Sequence, residues 1–135
     1  MTKLEAKVVM EEGKMGGVAT VRGHEVKFDQ PPTWGGEDTA ATPMELVLSA
    51  LGACIATVAK LITQKHMQKN PKITVELEGI EQEKPPVVFT DITAKIHVEG
   101  LDLDTAKRIV AKAEEICPVG AMLKKAVPNF KVEVV

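Results

Sequence analysis

Residues 42–69 constrain this chain more than any other stretch. Thr42, Pro43 and Glu45 open it as a helix start: threonine is a good N-cap, proline suits the first helical position, and glutamate three residues on completes a capping box. Helical spacing continues to Lys69, where Asn70-Pro71 stops it, because the residue before a proline avoids helical backbone. The first half is apolar on nearly every side, through Leu46, Val47, Leu48, Ala50, Leu51, Ala53 and Ile55. A helix without a polar face must be central, with neighbours packed around it. The second half, with Lys60, Gln64, Lys65, Gln68 and Lys69, turns polar and has to emerge into water. Any fold of this chain must enclose one half and release the other.

The rest of the chain supplies the cover. Residues 2–10 show partial apolar alternation and read as a strand, followed by glycine-rich turn chemistry over 13–17. Two more strands, VATVR and EVKFD, flank a tight turn placed at Gly23-His24. A long loop, QPPTWGGEDTAA, then holds the only tryptophan, and loops of that length in a compact domain are usually functional or interfacial. After the long helix, ITVELEGIEQE and VVFTDITAKIHVEG read as strands around Lys84-Pro85-Pro86. Asp102 or Asp104 caps a second helix whose Ala106, Ile109, Val110 and Ala113 keep helical spacing. Pro118 interrupts it, a short helix follows, and FKVEVV is the last strand. The order is β-β-β-α-β-β-α-α-β. Strands arrive as hairpins, so the reading is α+β with a mainly antiparallel sheet on the long central helix.

Composition narrows the function. A 135-residue chain with 44% hydrophobic and 27% charged residues reads as one globular domain over 1–135. The net charge is −2, there is no tyrosine, and the aromatics are Phe28, Trp34, Phe89 and Phe130. That equips the chain poorly for nucleic acid, which needs a basic surface and stacking platforms. The weakly charged run 46–59 is 14 residues, short of the roughly 20 a bilayer requires, so no membrane association is expected. The N-terminus lacks the apolar core of a signal peptide, and a cytoplasmic location is expected.

Chemistry concentrates on two cysteines. Cys117 directly precedes Pro118; if Pro118 starts the short helix, Cys117 caps it and faces the positive end of its dipole, which favours thiolate. Cys54 lies in the apolar half of the long helix, beside Gly52. A glycine there costs roughly 1 kcal/mol relative to alanine and signals close approach by a neighbour, expected to be another helix. Taken singly, either cysteine reads more readily as a small buried hydrophobe than as a functional thiol. His24, His66 and His97 are dispersed without zinc spacing, so neither a metal nor a bound cofactor is expected.

Together, TPMELVLSALGAC (42–54) and CPVGAMLKKAV (117–127) resemble the OsmC/Ohr family, the osmotically inducible and organic hydroperoxide resistance proteins. Order, spacing and element types agree over essentially the whole chain. The resemblance implies an OsmC-like α+β fold in an intertwined homodimer with sites at the subunit interface. It implies that Cys54 attacks a small hydroperoxide and becomes sulfenic acid, and that Cys117 resolves it to a disulfide. An external dithiol or a lipoylated protein would then be the reductant. In the family's reductases an arginine stabilises the thiolate and a glutamate after the helix-starting proline holds it. Here that glutamate position is Met44, and Glu45 stands on the opposite side of the helix from Cys54. The arginine positions read Gly13-Lys14 and Lys27-Phe28, and Arg22 is the only arginine among the N-terminal strands. Those departures keep open an alternative: a non-catalytic dimer that binds a small apolar or electrophilic ligand.

Overall fold

A computed structural model describes all residues, Met1–Val135. The chain forms two compact units, Met1–Val47 and Leu48–Val135. The first holds a three-stranded antiparallel meander of β1 (Lys7–Met10), β2 (Gly17–Val21) and β3 (His24–Phe28). The strand expected over 2–10 begins only at Lys7. Its partner β2 is five residues long, and its pairing with β1 ends at Lys7 opposite Thr20, so residues before Lys7 find no ladder. The hairpin turn also sits one residue earlier than expected. Val21 pairs with His24, leaving Arg22 and Gly23 as the turn, with φ of 51° and 83°. Two positive φ values in a two-residue loop match the right-handed twist of the strands it joins.

The loop after β3 is organised around one carboxylate. Asp29 is 3% exposed, and its oxygens accept hydrogen bonds from Gln30 N (2.7 Å), Glu37 N (3.3 Å), Thr39 N (3.0 Å) and Thr39 Oγ1 (2.7 Å). Those bonds, the Thr39 hydroxyl foremost, hold its pKa down at about 2. Pro32–Trp34 makes a single 3₁₀ turn closed by Gly35 in the left-handed region. Trp34 is displayed on the outside, 69% exposed.

The long helix, α1, runs Pro43–Met67. Its capping box forms as the sequence predicts: Glu45 N donates to Thr42 Oγ1 (3.2 Å), and Thr42 N to Glu45 Oε1 (2.9 Å). The helix ends two residues before Lys69 because Gln68 adopts a left-handed φ of 52° while its amide still reaches Gln64 O. By length and composition the whole helix could span a bilayer. Its buried stripe of Leu51, Ile55, Ala59 and Thr63 instead turns into protein core.

In the second unit β4 (Ile73–Glu81) and β5 (Phe89–Val98) form an antiparallel hairpin. α2 (Leu103–Ile116) and α3 (Pro118–Ala126) follow, and β6 (Asn129–Val134) pairs with β5 in parallel. The parallel pairing follows from connectivity, since two helices between neighbouring strands carry the chain back to the same end. The other strand pairs are antiparallel, so the α+β, mainly antiparallel reading holds. Ile92, Ala94, Ile96 and Val98 alternate inward along β5 and are all buried. Ile96 and Val98 meet Ile55 and Ala59 of α1 and Ala106, Ile109, Val110 and Ala113 of α2, and Cys117 belongs to the same cluster. Burying each large aliphatic side chain there contributes about 1.5–3 kcal/mol. Asp102, not Asp104, caps α2, accepting from Thr105 N at 3.1 Å.

Candidate functional site

Cys117 occupies the corner between α2 and α3 and serves both. Its amide closes α2 on Ala113 O (2.8 Å), its carbonyl accepts Ala121 N (2.8 Å), and its Sγ accepts Gly120 N (3.4 Å). Pro118 at the first helical position fixes this geometry, so the expected N-cap is present. The expected electrostatic consequence is not. Cys117 is fully buried, and burial pushes its thiol pKa up; the Gly120 and Val119 amides act downward but do not prevail, and Cys54 adds a further upward push. A cap of three or four amides is a partial charge, whereas removal from water penalises a full one. Cys117 is a thiol at neutral pH, which corrects the thiolate expectation.

Cys54 lies on α1 and is half-buried, packed against the cluster that includes Cys117. Both cysteines are free, and Cys54 lies close enough to interact with the Cys117 thiol. The two motifs, far apart in sequence, therefore meet at their sulfurs. Leu51, one turn before Cys54, packs toward Gly120, one turn after Cys117. Gly52 has the close neighbour its cost implied. A Cβ there would stand 2.7 Å from Leu77 Cδ1 of β4, so a strand side chain, rather than another helix, makes the close approach.

The other sequence candidates are placed as follows. Glu45 closes the capping box with Thr42, and Met44 beside it is half-buried. Lys14 stands 3.6 Å from Glu11 and 3.9 Å from Glu37. Lys27 is exposed on β3, opposite Val18, and Arg22 is at the hairpin turn. No group of three or more His, Cys, Asp or Glu side chains could hold a metal ion; His97 Nδ1 meets the Val135 carbonyl at 2.8 Å. An open groove of about 390 Å³ runs over the outer face of the second sheet, lined by Glu76, Glu78, Lys95, Lys131 and Glu133, and neither cysteine reaches it. Sequence reasoning missed Asp29. Its signal was an aspartate ending a strand just before a proline-rich loop, where a short carboxylate can gather following amides.

Comparison with known proteins identifies the family and the fold. The family model described as OsmC-like protein matches residues 36–133. Protein YhfA of Escherichia coli K12 is 34% identical over 127 residues, covering 92% of each chain. An organic hydroperoxide resistance protein-like protein of Mycoplasma genitalium is 25% identical over 117 residues, 84% of this chain and 82% of its own. Among solved structures, the OsmC-like protein of Mycoplasma pneumoniae superposes with a TM-score of 0.81 at 19% identity, covering 99% of this chain and 95% of the other. The organic hydroperoxide resistance protein OhrB of Bacillus subtilis gives 0.72 at 18% identity, covering 99% and 98%. At those identities the structural matches speak to the fold.

Proposed function

Because the chain belongs to the OsmC/Ohr family, we propose that it is a thiol-dependent peroxidase that reduces organic hydroperoxides through Cys54 and Cys117. The observation that carries this reading is the nearness of two free thiols in unequal surroundings, one half-buried on α1 and one fully buried at the α2–α3 corner. In the first step the Cys54 thiolate attacks a peroxide oxygen. An S–O bond forms, the O–O bond breaks, and the alkoxide leaves as alcohol after taking a proton. Cys54 is then a sulfenic acid. Cys117 sulfur attacks it, the S–S bond forms, and the hydroxyl departs as water with the thiol proton. One hydroperoxide is reduced by two electrons while two thiols become one disulfide. A small dithiol or a lipoylated protein returns those electrons. The apolar character of α1 around Cys54, with Leu51, Ile55 and Val58, favours organic hydroperoxides over hydrogen peroxide.

The working unit under this proposal is a homodimer. Support comes from apolar side chains that one chain leaves uncovered: Val8, Val9, Met10 and Val26 on the first sheet, and Leu61 on α1. A second reading, binding of a small apolar or electrophilic ligand without turnover, draws on Met44 standing where a charge-holding glutamate would. Hydroperoxide consumption with a dithiol present decides between them. The wild-type chain should turn over cumene-type hydroperoxide and Cys54→Ser should not. Equal rates for the two would defeat the peroxidase reading.

A further inference from the structure

Two glycines sit in helices beside the thiols, and only one is explained by the reduced protein. Gly52 has a reason in the packing, since an added Cβ would lie 2.7 Å from Leu77 Cδ1 and the leucine would have to shift. Gly120 has no such reason. It is buried in the first turn of α3, is absent from the residues with positive φ, and supplies Cys117 with an amide that any residue but proline would supply. A Cβ at 120 would lie 3.5 Å from Cys117 Sγ, 3.6 Å from Cys117 Cβ and 3.7 Å from Leu51 Cδ1, all ordinary van der Waals contacts. Alanine would fit and would favour the helix. The reduced protein thus leaves a methyl-sized space open at some cost to itself.

We propose that Gly120 is a positioning residue for the oxidised protein: its missing side chain leaves the room that α1 and α3 need to close on each other when Cys54 and Cys117 form a disulfide. This rests on the redox reading of the two thiols. Leu51 and Cys54 share one face of α1, a turn apart, and Cys117 caps the first turn of α3, in which Gly120 sits against its sulfur. Leu51 against Gly120 and Cys54 against Cys117 are therefore adjacent rungs between the same two helices. Sulfurs in non-bonded contact must draw together by roughly an ångström or more to reach the 2.05 Å of an S–S bond. Closing one rung tightens the other. With glycine the Leu51 methyl moves into empty space; with alanine it meets a Cβ that began at 3.7 Å. The penalty falls on the disulfide state alone.

The test is a redox titration of the full chain in glutathione buffers, with thiols counted after quenching by alkylation. The exchange balances: two protein thiols and one oxidised glutathione give one protein disulfide and two reduced glutathiones. For Gly120→Ala the equilibrium constant for disulfide formation is expected to fall at least tenfold, about 30 mV for this two-electron couple. The reduced variant should resist urea at least as well as wild type. Adding Leu51→Val, which removes the Cδ1 that faces the new methyl, should recover most of the lost constant. An unchanged constant in a folded Gly120→Ala protein overturns the inference, and so does a reduced variant that is clearly less stable, since the close approach would then exist before oxidation. If wild type forms no disulfide in oxidised glutathione or hydroperoxide, the redox reading falls and this inference with it. If wild type forms it and Gly120→Ala forms it equally well, only this inference falls.

Discussion

Replacing Cys117 separates its structural work from its proposed redox work. Cys117→Ala removes the sulfur that accepts the Gly120 amide, and loss of an N-cap acceptor costs about 0.5–2 kcal/mol. It also empties a methylene-sized volume at a position with no solvent exposure, which adds roughly 1 kcal/mol. The reduced alanine variant should therefore be about 1.5–3 kcal/mol less stable than wild type. Cys117→Ser restores an oxygen acceptor, a better cap than sulfur. Against that, its hydroxyl proton is buried, at a cost of about 1–2 kcal/mol if it finds no acceptor. The two effects nearly cancel, so serine should stay within about 1 kcal/mol of wild type.

Redox behaviour should ignore that ranking. Neither variant can form the disulfide, so both should complete a first peroxide turnover and then stall, with Cys54 passing from sulfenic to sulfinic acid under excess peroxide. Urea unfolding of the reduced proteins gives the stability order. Peroxide consumption with a dithiol, followed by intact-mass measurement, gives the redox outcome. A Cys117→Ser protein that cycled through many turnovers at the wild-type rate would remove Cys117 from the mechanism. A Cys117→Ala protein as stable as wild type would show that the cap contributes nothing.

Asp29→Asn should loosen the 29–41 loop, because an amide nitrogen cannot accept from the backbone amides that now converge on the carboxylate. The folded pKa of about 2 lies below the ordinary carboxylate value, so the ionised form's contribution is fully present above roughly pH 4 and fades as pH falls through 2. Thermal melts of the two proteins should differ at pH 7 and converge in that acid window; a gap that persisted undiminished at pH 2 would contradict it. Gly79→Ala would place a Cβ 2.5 Å from Phe89 Cε1 and 2.8 Å from Cδ1, against a ring that is itself buried. A loss of about 1–3 kcal/mol is expected, read as a lower urea midpoint with an unchanged slope. A midpoint equal to wild type would mean the ring has room to move.

The order of elements was legible because each signal is local. The capping box of Thr42 and Glu45, the alternation of Ile92 to Val98 and the helical spacing of Ala106 to Ala113 act within a few residues, and all three appear where expected. What the sequence concealed depends on partners elsewhere in the chain. The start of β1 is set by where β2 runs out, and the turn at Arg22-Gly23 by the register of Val21 with His24. The direction of β6 is set by the two helices before it, since alternation reads the same for either direction. The meeting of Cys54 with Cys117 was implied by resemblance to a family, because nothing in two distant motifs fixes their separation in space.

Cys117 shows the same limit in its chemistry. Pro118 announces a helix start, and from that the cap and its favourable dipole follow correctly. Burial does not follow, and burial decides the sign of the pKa shift. The sign fits the proposed division of labour better than the sequence expectation did. A second ionised thiol beside Cys54 would repel its thiolate and compete with it for peroxide. A buried neutral thiol does neither, since attack requires the thiolate. Once Cys54 is a sulfenic acid, its departing hydroxyl takes the Cys117 proton as the S–S bond forms, and adjacency raises the effective concentration of the two groups by orders of magnitude over that of free partners. The half-buried sulfur meets the substrate first, and the enclosed one reacts only with what its neighbour has become.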